Sequence, residues 1–308
     1  MSAEASKIDK ILRCVGCGIA EGDDVELKRC NGCYLVRYCG VKCQKEHRPK
    51  HKKECKKRAA ELRDELLFKQ PESSFMGDCP ICCLPLPLEQ RKSAMNTCCG
   101  KIACGGCYYA NLKREFEQRL ERTCPFCRQP EPTTEEDCLR YIEKRIEAND
   151  PVAMKEMGLF CLIDRKDQKS AFEYFTNAAG LGDADAHYNL SFMYARGECV
   201  EKNEKKELYH LEEAAIGGHP RARHNLAHLE NRRGRMDRAV KHMVIAANMG
   251  DDKSLESLKN MYRDGLFSKE GFAVALRAHK AAVDATKSSQ REEGETHLPT
   301  NRQGQRKH

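Results

Sequence analysis

Tryptophan is absent from this sequence of 308 residues, and aromatic residues make up only 6% of it. The chain also lacks any run of 18 or more apolar residues, and no apolar stretch follows its start, MSAEASKIDK. Without such runs, the sequence predicts neither a membrane-spanning helix nor a secretory signal peptide. We therefore expect an intracellular protein of the cytoplasm, the nucleus or both, with no membrane partner.

Cysteine is scarce beyond residue 127, where only three of the 19 cysteines occur. The other 16 lie between Cys14 and Cys127, many of them in pairs separated by two residues. Disulfides are rare in a reducing compartment, so paired cysteines there are typical of sites in which thiolates bind zinc. The distribution predicts zinc binding in the first part of the chain and a different kind of structure after it.

The formal net charge of +7 is weak evidence for a nucleic-acid partner, because it counts every cysteine as neutral. Fifteen zinc-bound thiolates and four Zn²⁺ ions would together add −7 and cancel the excess. The basic run KKECKKR is consistent with nuclear targeting or nucleic-acid contact, but no aromatic residues interleave with it as stacking platforms. We favour a solvated helix face and expect no nucleic-acid partner.

Residues 14–55 hold eight ligand-type residues, the number that two tetrahedral zinc sites need. The segment is too short and too poor in large apolar residues to fold without metal. Pro49 disfavours a continuous helix and is well placed to open a new one. This predicts that His51 and Cys55 lie one turn apart on the new helix, with His47 as a bystander. The predicted ligands are Cys14, Cys17, Cys30, Cys33, Cys39, Cys43, His51 and Cys55.

The same segment resembles the MYND zinc finger in its CxxC, CxxC, YCxxxC and HxxxC motifs. In that family the ligands are interleaved, which implies one zinc on Cys14, Cys17, Cys39 and Cys43 and another on Cys30, Cys33, His51 and Cys55. The resemblance departs at Arg48, where the family usually has tryptophan near a surface that holds proline-rich peptides. It therefore does not extend to that binding.

A second cysteine-rich segment runs from Cys79 to Cys127 and resembles an all-cysteine RING domain in its CPIC, CGGC and CPFCR motifs. The resemblance implies one zinc on Cys79, Cys82, Cys104 and Cys107 and another on Cys98, Cys99, Cys124 and Cys127, which makes four Zn²⁺ ions in the chain. Two interpretations of Cys98 and Cys99 stay open. We favour coordination by both, and the alternative is a three-cysteine site that is completed by water or distorted.

Some RING domains are ubiquitin ligases that hold no nucleophile and act by orienting a ubiquitin-charged conjugating enzyme. Three positions here match their docking surface: Ile81 in CPIC, Pro125 in CPFC and Arg128 just after the last ligand. The resemblance therefore implies a conjugating enzyme as a partner. Each residue also has a plain structural interpretation, since isoleucine can pack, proline can turn the loop and arginine can lie at the surface.

Beyond residue 135 the cysteine pattern ends, and similar sequence segments recur at regular intervals. Aligned segments begin at residues 150, 183, 219 and 251, and each is followed by a second helical pattern that contains alanines. Helix pairs of this length are typical of solenoids, in which each repeat is too small to bury its own apolar face. The repeats resemble Sel1-like repeats, relatives of the tetratricopeptide class, and a RING followed by such repeats resembles one expanded RING/Sel1-repeat family.

The predicted fold class is multidomain, with two small zinc-stabilised α+β modules followed by an all-α Sel1-like solenoid. The predicted segments are a MYND-type finger with a basic C-terminal helix at 1–60, a linker at 61–77, a RING-like finger at 78–130, repeats at 131–287 and a disordered tail at 288–308. We expect an adaptor that is also a RING-type ubiquitin ligase, binding substrates or partners through the repeats and the MYND finger. The alternative is a non-enzymatic interaction scaffold.

Overall fold

The computed structural model describes residues 12–297. Its contacts divide the chain into two compact units, Met1–Lys69 and Gln70–His308. Across residues 12–297, no helix combines the length and the apolar character that crossing a membrane requires.

The first unit is built on a short antiparallel ladder and one long helix. Strand β1 (Lys28–Arg29) pairs with β2 (Arg37–Tyr38), and helix α1 (Val41–Leu67) follows. Leu27 and Tyr38 are buried among the sulfur atoms of nearby cysteines rather than in an apolar core of ordinary size. Such a core is too small to stabilise the unit by itself, as the composition of residues 14–55 predicts.

Helix α1 is continuous through Pro49, so the prediction of a break there is wrong. Pro49 lacks the N–H group that would bond to the carbonyl of Lys45, one turn earlier. Both residues are exposed, so water can satisfy that carbonyl. The predicted linker at 61–77 is also partly helical, because α1 extends to Leu67.

The second unit begins with the cysteine-rich segment, which we call the second zinc module (residues 78–130). It contains a 3₁₀ turn (Gln90–Lys92), an antiparallel hairpin of β3 (Ser93–Met95) and β4 (Ile102–Cys104), and helix α2 (Gly105–Glu117). Its small core joins Leu86 and Ala103 to buried cysteines.

Helices fill the rest of the second unit. They are α3 (Glu135–Glu147), α4 (Pro151–Ile163), α5 (Gln168–Gly180), α6 (Ala184–Arg196), α7 (Glu204–Ile216), α8 (Pro220–Arg232), α9 (Met236–Asn248), α10 (Asp252–Arg263), α11 (Lys269–Asp284) and α12 (Ser289–His297). Helices α4 to α11 form four sequential pairs, and each pair contacts the next. The predicted fold class, two zinc modules and a helical solenoid, is therefore confirmed.

The four predicted repeat starts are the N-caps of the first helix of each pair. Asp150, Asp183 and Asp251 accept hydrogen bonds from backbone amides two or three residues ahead through a carboxylate oxygen. His219 does the same through Nδ1, which accepts from the amide of Ala222 at 3.1 Å. The caps satisfy amides that a helix start leaves free, so the sequence signal at these positions has a direct structural cause.

The solenoid core lies between and within the helix pairs. Phe175 is fully buried, and its ring fills the space in which a Cβ on Gly158 would lie, 2.7 Å from the ring. Paired alanines, such as Ala214 and Ala215 on α7, are also fully buried and let the helices approach closely. Large aromatic groups and small residues are thus matched across the interfaces.

The end of the chain differs from the predicted disordered tail at 288–308. Residues 289–297 form helix α12, which packs against α2 of the second zinc module. Residues 298–308 lie outside the described range. The polar composition of this segment predicts disorder for an isolated chain, and packing on a neighbouring module overrides that tendency.

Replacing Phe175 with alanine should destabilise the solenoid by about 3–5 kcal/mol, because a fully buried ring is lost and a cavity stays behind. Urea unfolding followed by the helical circular dichroism signal measures the change. Leu181→Ala is the control, since this side chain is 51% exposed and its loss should cost about 0.5 kcal/mol or less. Equal effects of the two variants would contradict the packing described here.

Candidate metal centres

Four Cys-x-x-Cys turns provide half of the candidate ligands, and they share one backbone conformation. In each, the residue after the second cysteine has a positive φ, and its N–H donates to the carbonyl of the first cysteine at 2.8–3.0 Å. This turn aims both sulfur atoms to the same side. The residues at the positive-φ position are Gly18, Tyr34, Cys83 and Arg128.

The sixteen predicted ligands come together in four groups, and in each group the ligand atoms lie within 4.8 Å of one another. The groups have the interleaved pairing that the two resemblances imply. Site 1 has Cys14, Cys17, Cys39 and Cys43; site 2 has Cys30, Cys33, His51 and Cys55; site 3 has Cys79, Cys82, Cys104 and Cys107; site 4 has Cys98, Cys99, Cys124 and Cys127.

Distances within the groups fit a tetrahedral metal ion rather than disulfides. A tetrahedron with zinc–sulfur bonds of about 2.3 Å has sulfur–sulfur edges of about 3.8 Å, whereas a disulfide bond is about 2.05 Å long. The sulfur–sulfur distances are 3.6 Å in site 1, 3.7 Å in site 2, 3.8 Å in site 3, and 3.7 and 3.3 Å in site 4. None of the 19 cysteines, which all lie within the described residues 12–297, forms a disulfide bond.

Helix α1 provides ligands to two sites because these residues project in different directions around the helix axis. Residues four apart on an α-helix are separated by about 40° and about 6 Å. His51 and Cys55 are therefore close enough to bind one ion in site 2. Cys43 is about 120° and about 18 Å away from Cys55 along the same helix, and it belongs to site 1.

His51 supplies Nε2 to site 2, 3.2 Å from the sulfur of Cys33, and the ring is buried. His47 lies outside the ligand group, in line with the prediction, but it contacts the site indirectly. Its Nδ1 is 3.1 Å from the hydroxyl of Tyr38, and its ring stacks on His51 with centroids 5.5 Å apart. His47 therefore supports the orientation of the ligand ring, a role that the sequence pattern did not indicate.

Adjacent Cys98 and Cys99 both contribute to site 4, so the structure favours the four-cysteine interpretation. A tight turn makes this possible, because the amides of Cys99 and Gly100 both donate to the carbonyl of Asn96 at 3.2 and 2.7 Å. Lys101 lies over the ring of Phe126 and takes no part in the group.

Electrostatics within the sites favour a bound cation. Burial raises the pKa of Cys14 and Cys30, but hydrogen bonds, mainly from backbone amides, outweigh it and lower both pKa values to about 6. Hydrogen bonds with Cys39 and Cys17 raise the pKa of Cys43 to about 12, and burial together with Cys30 and Cys33 raises that of Cys55 to about 11. One thiolate thus opposes ionisation of its neighbours, and a divalent ion removes this repulsion.

The donor sets fit zinc in closed, structural sites. Three sites offer four sulfurs and one offers three sulfurs and an imidazole, which are the ligand types that zinc prefers. With four protein ligands each, the sites leave no position for a reacting group. Bound zinc would cross-link segments far apart in sequence and stabilise both modules.

Two arginines lie beside the second zinc module at positions that the sequence did not indicate. Arg145 on α3 donates to the carbonyl of Thr97 at 3.0 Å, next to Cys98 of site 4. Arg291 on α12 donates to the sulfur of Cys82 in site 3 at 3.3 Å. Both are buried, and neither lies in a motif that would have pointed to a metal site.

Residues 14–55 match the family model of the MYND finger. A comparison with curated proteins gives no match. Similar solved structures include a protective antigen of uropathogenic Escherichia coli with an SLR fold, at 22% identity and a TM-score of 0.42, covering 48% of this chain and 34% of that one. This chain thus spans about a third of the antigen's length.

Two further similar structures are bacterial. A Sel1 repeat protein from Oxalobacter formigenes is 21% identical, with a TM-score of 0.44, over 63% of this chain and 81% of that one. An immunity protein from Pseudomonas aeruginosa is 14% identical, with a TM-score of 0.32, over 59% of this chain and 92% of that one.

The chain therefore combines a segment that matches the MYND finger, a second zinc module and paired helical repeats.

Native mass spectrometry of fresh protein should find four zinc ions. His51→Ala should lose one, because site 2 keeps only three ligands. His47→Ala should keep all four, since its ring is outside the ligand group. Loss of zinc from the His47 variant with retention in the His51 variant would reverse the assignment.

Zinc affinity should fall as the pH falls. The raised pKa values of Cys43 and Cys55 mean that both are protonated at neutral pH without metal, and zinc must displace those protons. The stability that zinc adds is therefore greatest at high pH and is lost on acidification. Calorimetric titration of metal-free protein at pH 7 in two buffers of different ionisation enthalpy should show proton release. Identical heats in both buffers would contradict this.

Proposed function

We propose that the second zinc module is a RING-type domain and that the protein is an intracellular adaptor with ubiquitin-ligase activity. The observation that carries the proposal is the interleaving of sites 3 and 4, in which the first and third cysteine pairs form one group and the second and fourth form the other. This cross-brace accompanies three residues at the positions that contact a conjugating enzyme in RING ligases.

The exposure of Ile81 and Arg128 supports a docking role. Ile81 is 45% exposed, although it lies between ligands Cys79 and Cys82, so it is not explained by packing alone. Pro125 is partly buried in the last Cys-x-x-Cys turn. Arg128 is exposed, and its positive φ comes from the backbone turn, which leaves the side chain available to a partner.

Catalysis in this proposal is by orientation. Zinc supplies no reaction chemistry and only fixes the loops that carry Ile81 and Arg128. The apolar side chain would bind the conjugating enzyme, and the guanidinium would bridge that enzyme and its attached ubiquitin. Holding the thioester in one reactive pose removes rotational freedom that otherwise opposes attack by a substrate lysine.

The second candidate function is a non-enzymatic scaffold. Phe116, in the last turn of α2, and Leu120, just after that helix, are 86% and 50% exposed. Exposed aromatic and aliphatic groups are typical of surfaces that bind proteins. In this alternative the second zinc module holds a partner without activating it, and the repeats hold another.

Ubiquitylation with purified activating enzyme, a panel of conjugating enzymes and the full chain tests the proposal. Wild-type protein should form ubiquitin chains, and Arg128→Ala should slow their formation about tenfold, the effect of losing one well-placed arginine contact. Arg119→Ala is the matched control, because Arg119 is also exposed, has a positive φ and lies in the same module. Its rate should stay at the wild-type value.

Native mass spectrometry should show four zinc ions in both variants, so that a change in rate is not due to metal loss. Absence of ubiquitin chains with every conjugating enzyme would refute the ligase proposal and leave the scaffold. Equal rates for Arg128→Ala and wild type would refute the role of Arg128.

A further inference from the structure

Helix α12 has too little helical tendency to be stable by itself. Its nine residues, SQREEGETH, include a central glycine and no large apolar side chain. Isolated helices shorter than about 12–15 residues are marginal in water even with favourable sequences. The helix must therefore gain its stability from what it contacts, and it contacts α2 of the second zinc module.

Arg291 makes the central contact. Its side chain is only 5% exposed. One terminal nitrogen donates to the carbonyls of Pro85 at 2.6 Å and Thr286 at 2.7 Å, and the other donates to the carbonyl of Leu84 at 3.0 Å and the sulfur of Cys82 at 3.3 Å. A single guanidinium thus joins the turn after α11, helix α12 and the first Cys-x-x-Cys turn of the module.

Two glycines allow this close approach. A Cβ on Gly294 would lie 2.7 Å from the Cα of Gly106 on α2, and a Cβ on Gly106 would lie 2.5 Å from the carbonyl oxygen of Gln290. Both obstacles are backbone atoms, which cannot move aside as a flexible side chain can. Backbones in direct contact at this point mean that α12 is fitted to α2 rather than resting loosely on it.

Peripheral contacts set the register of α12. Lys113 pairs with Glu293 at 3.4 Å, and Lys92 pairs with Glu295 at 3.2 Å. The ring of Tyr109 stacks on His297 with centroids 5.0 Å apart. Exposed pairs such as these contribute little stability, so the buried contacts of Arg291 carry most of the interaction.

The negative charge of site 3 explains why an arginine lies beside it. A buried guanidinium is costly unless it is hydrogen-bonded and balanced by negative charge. Three of its four acceptors are neutral carbonyls, and the fourth is a thiolate when zinc is bound. A zinc ion with four thiolates carries a net charge of about −2, so site 3 and Arg291 offset each other.

We propose that residues 288–297 belong to the second zinc module and that Arg291 is a positioning residue for the zinc ligand Cys82. Its hydrogen bonds to Leu84 and Pro85 hold the backbone just after the ligand, and its bond to the sulfur holds the ligand itself. The module is therefore completed by a segment about 160 residues beyond its last cysteine, reached at the end of the solenoid. This inference does not depend on ligase activity.

The test is the rate at which zinc leaves each site of the full chain in the presence of a chelator. Cysteines freed from zinc are alkylated and identified by mass spectrometry, which separates site 3 from the other three. Loss of an outer hydrogen-bond partner typically weakens metal binding about 10–100-fold. Arg291→Ala should therefore expose Cys79, Cys82, Cys104 and Cys107 about 10–100 times faster than wild type, with sites 1 and 2 unchanged.

Two measurements separate positioning from general stability. In cobalt-substituted protein, Arg291→Ala should shift the sulfur-to-cobalt charge-transfer absorption, because the N–H···S bond withdraws electron density from Cys82. Arg291→Lys should expose site 3 at an intermediate rate, since an ammonium keeps the charge but cannot reach all four acceptors in the planar fork of arginine.

Gly294→Ala tests the contact between α12 and α2, because the direction of the change in hydrogen exchange depends on whether the two helices touch. Alanine favours an isolated helix over glycine, but here its Cβ would meet the backbone of α2. Gly294→Ala should therefore increase hydrogen exchange in α12 and speed exposure of site 3, whereas Thr296→Ala at an exposed position should slow exchange in α12 and leave site 3 unchanged.

Three outcomes would overturn the proposal. In the first, the cysteines of site 3 are alkylated in Arg291→Ala at the wild-type rate. In the second, Arg291→Ala speeds alkylation equally at all four sites. In the third, hydrogen exchange in α12 is slower in Gly294→Ala than in wild type.

Discussion

Repulsion between thiolates is the constraint on which both zinc modules depend. Each site brings four ligand atoms within 4.8 Å, and in the absence of a cation one ionised sulfur raises the pKa of its neighbours. A divalent ion turns this unfavourable arrangement into a cross-link. Because the ligand pairs interleave, each ion joins segments that are distant in sequence, and two small modules with little apolar core gain a defined fold.

The solenoid is stabilised by a different principle. Its helix pairs start at N-caps, bury alanines and fill the remaining space with groups such as Phe175. No metal is needed where neighbouring repeats supply the apolar surface. Two arginines connect the helical region to the second zinc module. Arg145 contacts a carbonyl beside site 4, and Arg291 contacts a sulfur of site 3.

The adaptor proposed above would act through the surfaces that its zinc sites shape, because four protein ligands surround each ion. Ile81, Phe116 and Arg128 are exposed on the second zinc module, while the repeats provide an extended helical surface. Fixing the module through α12 would hold its exposed loops in a constant relation to the solenoid that ends beside it.

Cysteine spacing predicted zinc binding and the period predicted the repeats, because both are local signals with direct chemical causes. The pairing of the ligands came from the resemblance to MYND and RING domains, and the folded chain brings the same residues together. The sequence could not determine the continuity of α1 through Pro49, since exposure of the freed carbonyl and coordination on both sides are tertiary facts. It predicted disorder where α12 forms, because a short polar segment acquires helix only through contact with α2. Likewise, only the folded chain places Arg291 beside Cys82, 209 residues away in sequence.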